Sequence, residues 1–172
     1  NKVVNNDFKI ENKKKIVASG KIFDAQPLLK SLYKKNNKKT LSKNFSYEAD
    51  VKFDEVLTGT NDIIHNFVMI TSISGGSYSK LSSKGNFSDT EIVEISIYQL
   101  GDDKKTLQVF SDRARPFVKH FEFIEGFEGG KLQYESTITK NSSNSNLIIN
   151  DFKVSKVPAL AKLLTLASLR GI

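Results

Sequence analysis

Phe45-Ser-Tyr-Glu-Ala-Asp-Val-Lys-Phe53 is the stretch that decides the fold. Phe45, Tyr47, Ala49, Val51 and Phe53 alternate with Ser46, Glu48, Asp50 and Lys52. Successive side chains of a strand point to opposite faces, so this segment has one apolar face and one wet face. The same period of two recurs over residues 15–23, 63–73, 78–87, 91–100, 106–111, 131–139 and 147–154. Ser74-Gly75-Gly76, Gly101-Asp102-Asp103 and residues 141–146 supply turn residues between these runs, as successive antiparallel pairs require. The pattern predicts a mainly β chain built as an antiparallel meander.

Three helical segments interrupt it. The 3 prolines, Pro27, Pro116 and Pro158, each follow a run ending in Phe23, Phe110 or Phe152, and each opens an apolar stretch holding a lysine: Lys30, Lys119 or Lys162. Proline suits the first helical turn, where its missing N–H has no intrahelical partner to serve. Asp24, Asp112 and Ser155 are the N-cap candidates. The pattern reads as a degenerate strand-helix repeat, and equally as a β-rich fold that covers its sheet with short helices.

With 172 residues, 38% of them hydrophobic, the chain has apolar material for one domain and little reason to split. It has 0 cysteines, which removes disulfides, zinc thiolate sites and thiol nucleophiles together. No window approaches the roughly 18 uninterrupted apolar residues of a membrane-spanning helix. The net charge of +7 comes almost wholly from lysine, with arginine only at 113, 115 and 170, whereas phosphate and base recognition favours arginine forks. Nucleic acid is therefore not expected as a partner. The basic runs at 13–15 and 34–39 read as solvated loops, or more loosely as contacts to anionic lipid headgroups.

Catalytic chemistry finds no foothold. His65 sits in a strand pattern and His120 beside Phe121 in a helical one, with no nucleophile or ligand at recognisable spacing. Glu122 and Glu125 flank an aromatic segment, and Gly126-Phe-Glu-Gly-Gly130 precedes a strand where a phosphate loop would open a helix. No enzyme, metal or cofactor is expected.

The C-terminal run from Asn146 to Ile172 passes from a strand into an apolar helix with no cap. An uncovered Leu163-Leu164-Thr165-Leu166 face would lie in water, so residues 1–172 read as one fragment of a longer chain. Its start is poorly defined over 1–14, and its apolar helix over 157–172 is truncated. This run, together with Leu107-Gln-Val-Phe-Ser-Asp112 and Gly129-Gly130-Lys-Leu132, resembles the C-terminal region of AsmA-like proteins of the YhdP type, Gram-negative envelope relatives of TamB. The likeness is specific over 106–172 and weaker back to about residue 14. Val157 stands where the family usually has Ala before the proline, and Arg113 and Arg115 replace small residues.

The resemblance implies an open, curved β-groove whose apolar lining shields phospholipid acyl chains between the inner and outer membranes. The phospholipid would be cargo, not a cofactor. It also implies a periplasmic location, an inner-membrane anchor outside this fragment, and a role in outer-membrane biogenesis with the remainder of the parent chain as partner. The lining would be Phe45, Tyr47, Val51, Phe53, Phe67, Met69, Val93, Ile95, Ile97, Leu132, Tyr134 and Ile138, with Leu160, Leu163, Leu164 and Leu166 capping the sheet. Alternation alone is equally compatible with a closed barrel or a sandwich, in which these side chains form a packed core of a structural module with no ligand.

Overall fold

The computed structural model describes residues 6–12, 14–33, 44–101, 103–118 and 125–156. They form nine strands: β1 (Asp7–Asn12), β2 (Ile16–Asp24), β3 (Tyr47–Leu57), β4 (Ile63–Ser74), β5 (Ser77–Asn86), β6 (Ile92–Gln99), β7 (Lys104–Ser111), β8 (Glu125–Thr139) and β9 (Ser143–Lys156). Two short helices accompany them, α1 (Gln26–Tyr33) after β2 and α2 (Arg115–Val118) after β7. The strands lie in one sheet in chain order from β1 to β9. Its ends do not meet, and tertiary contacts run almost wholly between neighbouring strands. The expected open, mainly β architecture is what the chain adopts, and the described residues form neither a barrel nor a sandwich.

One pairing departs from the meander. β2 and β3 run parallel, with Ala18 beside Val51 and Phe23 beside Val56. A parallel neighbour cannot be reached by a tight hairpin and needs a crossover. Residues 25–46 supply it, and α1 lies within them. The other neighbouring pairs are antiparallel. The expected strand-helix repeat does not hold as a geometric repeat, because α1 joins parallel strands while the four-residue α2 joins antiparallel ones. The third proline-led helix, with Pro158 and the leucines after it, lies outside the described residues.

Three further boundaries differ from expectation. β1 lies in a stretch with no clear sequence pattern, and it pairs Phe8 with Gly20 and Ile10 with Ala18. β8 begins at Glu125 and absorbs the glycine cluster as an irregularity: Gly126, Gly129 and Gly130 take φ of 67°, 67° and 85°, opposite Asp151 at 56°. A Cβ at Gly130 would come within 3.0 Å of the Phe152 Cβ, so glycine is needed there for space as well as for φ. β9 begins at Ser143, so most of the Asn/Ser stretch expected as a turn is strand.

The core sits where the helices meet the sheet. Phe53, Val56, Ile64, Phe87 and Val93 form one buried cluster, and Ala114, Val118, Phe127 and Leu132 a second. Phe117 of α2 packs against both. Asp24 caps α1 only at one remove, accepting the Gln26 N–H at 2.9 Å from the residue before Ala25. Asp112 does not cap α2. Its carboxylate accepts the Ile92 N–H at 2.9 Å and pairs with Lys131 at 3.1 Å, while the Ala114 carbonyl starts the helix.

Candidate functional site

Register builds the apolar face strand by strand. Ile10, Ala18, Val51, Met69, Ser83, Ile95, Val109, Tyr134 and Leu147 are successive partners across all nine strands, and form one row with a single polar interruption short of Tyr134. A second row runs Ile16, Ala49, Thr71, Leu81, Ile97, Leu107 and Ser136. Paired residues share a face, so a side chain of period two on each strand becomes a continuous stripe across the sheet.

The twelve residues expected to line the face fall into three settings. Phe53, Val93 and Leu132 are buried at 4%, 2% and 3% exposure in the clusters where α2 packs, so they are core. Val51, Phe67, Met69, Ile95, Ile97 and Tyr134 are half-buried. Phe45, Tyr47 and Ile138 lie at the opposite strand ends, where Phe45 and Tyr47 touch with ring centroids 4.8 Å apart. Among the described residues no second layer covers the middle of this face. Toward β9 it turns polar, with Tyr134 donating to Ser145 at 3.1 Å and Ser145 to Ser136 at 2.9 Å.

The opposite face carries Ser82, Ser96, Gln108, Glu135 and Asn146 in register from β5 to β9. A hollow of about 590 Å³ opens among these strands, edged by the Lys84–Glu94 pair and by Gln108, which donates to Glu135 at 2.9 Å. A smaller hollow of about 390 Å³ lies at the hairpin-turn end, between Tyr78, Ile97, Lys105 and Ile138.

A charged clamp that local sequence does not announce ties together the other end of the sheet. Asp62, at the turn before β4, has its side chain only 3% exposed. It accepts Arg115 Nε at 2.8 Å and Nη2 at 2.9 Å, Arg113 Nη1 at 3.0 Å, and the Thr60 hydroxyl at 3.0 Å. Arg113 also donates to Glu91 at 3.1 and 2.5 Å, and its guanidinium lies 5.3 Å from the Phe87 ring centroid. Burial pushes the Asp62 carboxyl up, but the hydrogen bonds from Arg115, Arg113 and Thr60 more than reverse it, leaving its pKa below the ordinary value. Arg113 holds Glu91 below its ordinary value, and the Ile92 N–H with Lys131 does the same for Asp112. The two guanidiniums are raised in return, chiefly by these same hydrogen bonds. The only signal in the sequence is that a lysine-rich chain places Arg113 and Arg115 together.

No group of acidic or histidine side chains among the described residues is placed to hold a metal ion, and no described helix is long and apolar enough to cross a membrane. His65 faces Glu55 at 4.0 Å, while His120 lies outside the described residues. Fold and site together define a single-layer, open β-sheet protein with one half-exposed apolar face. No family model, no curated protein and no solved structure matches the chain.

Proposed function

We propose that this chain is a non-enzymatic section of an AsmA-like, YhdP-type β-groove that shelters phospholipid acyl chains in transit between inner and outer membranes. On this reading it works in the periplasm, held to the inner membrane by a segment outside this fragment. The observation that carries the reading is the half-exposed apolar row from Ile10 to Leu147, which crosses the open sheet strand by strand. Each methylene kept from water there gains about 0.8 kcal/mol, so acyl chains on such a stripe are sheltered at every step along it. The resemblance of residues 106–172 supplies the cargo and the compartment. Nine strands at about 4.8 Å spacing give roughly 40 Å of sheet, one section of a longer path.

Ile95 and Met69 test this, being central to the row yet half-buried, so that a carboxylate placed there can reach water. The protein is purified, its bound lipid extracted and quantified, and uptake of added phospholipid measured by native mass spectrometry. Bound phospholipid that disappears in Ile95→Glu and in Met69→Glu, with circular dichroism unchanged, is the expected result. A stable, lipid-free protein that takes up no added phospholipid would favour a structural module and end the groove reading.

A further inference from the structure

Four hairpin turns, those joining β1 to β2, β4 to β5, β6 to β7 and β8 to β9, emerge at the end of the sheet away from the clamp. The start of β3 joins them, with the Gly76 N–H donating to the Phe45 carbonyl at 2.9 Å. Large apolar side chains gather here in the open: Tyr47, Tyr78, Tyr98, Leu100 and Ile138 are 37% to 54% exposed. Around them stand Lys80, Lys104 and Lys140, all exposed and without an ion-pair partner among the described residues, and Lys105, whose amine donates to the Ser77 hydroxyl. Described carboxylates near this end are few, chiefly Glu48, Asp103 and Asp50, the last already paired with Lys15.

We infer that this turn end is a docking surface for an anionic lipid bilayer. Tyrosine has an apolar ring and a polar tip, and settles at the depth of lipid headgroups. Lysine extends its stem along apolar surface while its ammonium meets phosphate. Leu100, the most exposed of the apolar group, stands at the β6–β7 turn, where its side chain enters the acyl boundary. A nucleic acid would use the lysines but leave the leucine and the tyrosine rings without a role. The inference is independent of the groove reading, because it concerns strand ends and not the row through Ile95.

The chain has 0 tryptophans, so one introduced indole reports its own surroundings without background. Leu100→Trp at the turn end and Leu28→Trp on α1 are compared on vesicles of phosphatidylcholine with phosphatidylglycerol, against phosphatidylcholine alone. Leu100→Trp shifts to the blue and is quenched by brominated lipid only on the anionic vesicles, while Leu28→Trp does neither. Combining Lys104→Gln with Lys140→Gln weakens sedimentation with these vesicles by roughly 20- to 30-fold at low salt, at about fivefold per charge. Combining Lys52→Gln with Lys153→Gln, an equal charge change elsewhere, leaves it unaltered. Ile95→Glu retains vesicle binding even where it loses bound lipid. The inference is overturned if nothing sediments, if Leu28→Trp is quenched as strongly, if the two lysine pairs weaken binding equally, or if Ile95→Glu abolishes it. It is also overturned if DNA competes fully for the lysines and the indole emission never moves.

Discussion

Both ends of the sheet carry cationic side chains, and they use them in opposite ways. At the helix end Arg113 and Arg115 close on Asp62 and Glu91, under a cluster that includes Phe53 and Val93. At the turn end Lys80, Lys104 and Lys140 stand in solvent beside half-exposed tyrosines. A guanidinium fork can satisfy a buried carboxylate bidentately, whereas an ammonium is a strongly hydrated point charge on a flexible stem. Asp62 and Glu91 offset the two guanidiniums, whereas no ion pair among the described residues offsets Lys80, Lys104 or Lys140. Burial and partner separate the two ends, one building the fold and the other left available for contact.

Substitution breaks or sharpens this contrast. The largest effect is expected in the helix-end core, where Phe53→Ala should cost about 3–5 kcal/mol in chemical denaturation. Tyr98→Ala at the turn end should stay within about 0.5 kcal/mol. Next comes the clamp: Arg115→Ala leaves the Asp62 carboxylate buried with a single arginine, at a cost of roughly 3 kcal/mol by the same measurement, against under about 0.5 kcal/mol for Lys104→Ala. Equal losses from the two cations would erase the distinction between the ends.

Acid gives the smallest and most diagnostic effect. The folded-state pKa values of Asp62, Glu91 and Asp112 are all lowered, so below the ordinary carboxylate range the unfolded chain binds more protons than the folded one. The stability these groups contribute is complete above their unfolded values. It should decline from about pH 4.5 as the pH falls through the lowered folded values. Thermal midpoints recorded across this window should show the decline in the parent chain and a shallower one in Asp62→Asn. An identical slope in both would detach the acid response from the clamp.

How much of this was legible varies with the range of the interaction responsible. Alternation located β2 to β7 closely, because side-chain period is a local property of a strand with one wet face. β1 escaped, since Phe8 and Ile10 give only two apolar positions and its identity depends on pairing with β2. The glycines at 126, 129 and 130 imitate a turn, and only their partner strand shows that β8 continues through them. The clamp joins Asp62 to residues more than 50 positions away, and no local pattern encodes such a meeting. The twelve lining residues were legible as one parity class, but burial divides them, because α2 packs over one end of the face alone.

The parallel β2–β3 pair has a topological consequence for that polarity. In a pure meander, hairpin turns alternate between the two ends, and the turn joining β1 to β2 would emerge beside the one joining β3 to β4, next to Asp62. A single parallel pairing reverses β1 and β2 together and exchanges that parity. Ile16 lies against Ala49 near the start of β3, and Lys15 pairs with Asp50. Lys14 and Lys15 are thus delivered to the end that already carries Lys80, Lys104 and Lys140. One crossover thereby adds the lysines of the β1–β2 turn to the rim where Lys80, Lys104 and Lys140 stand.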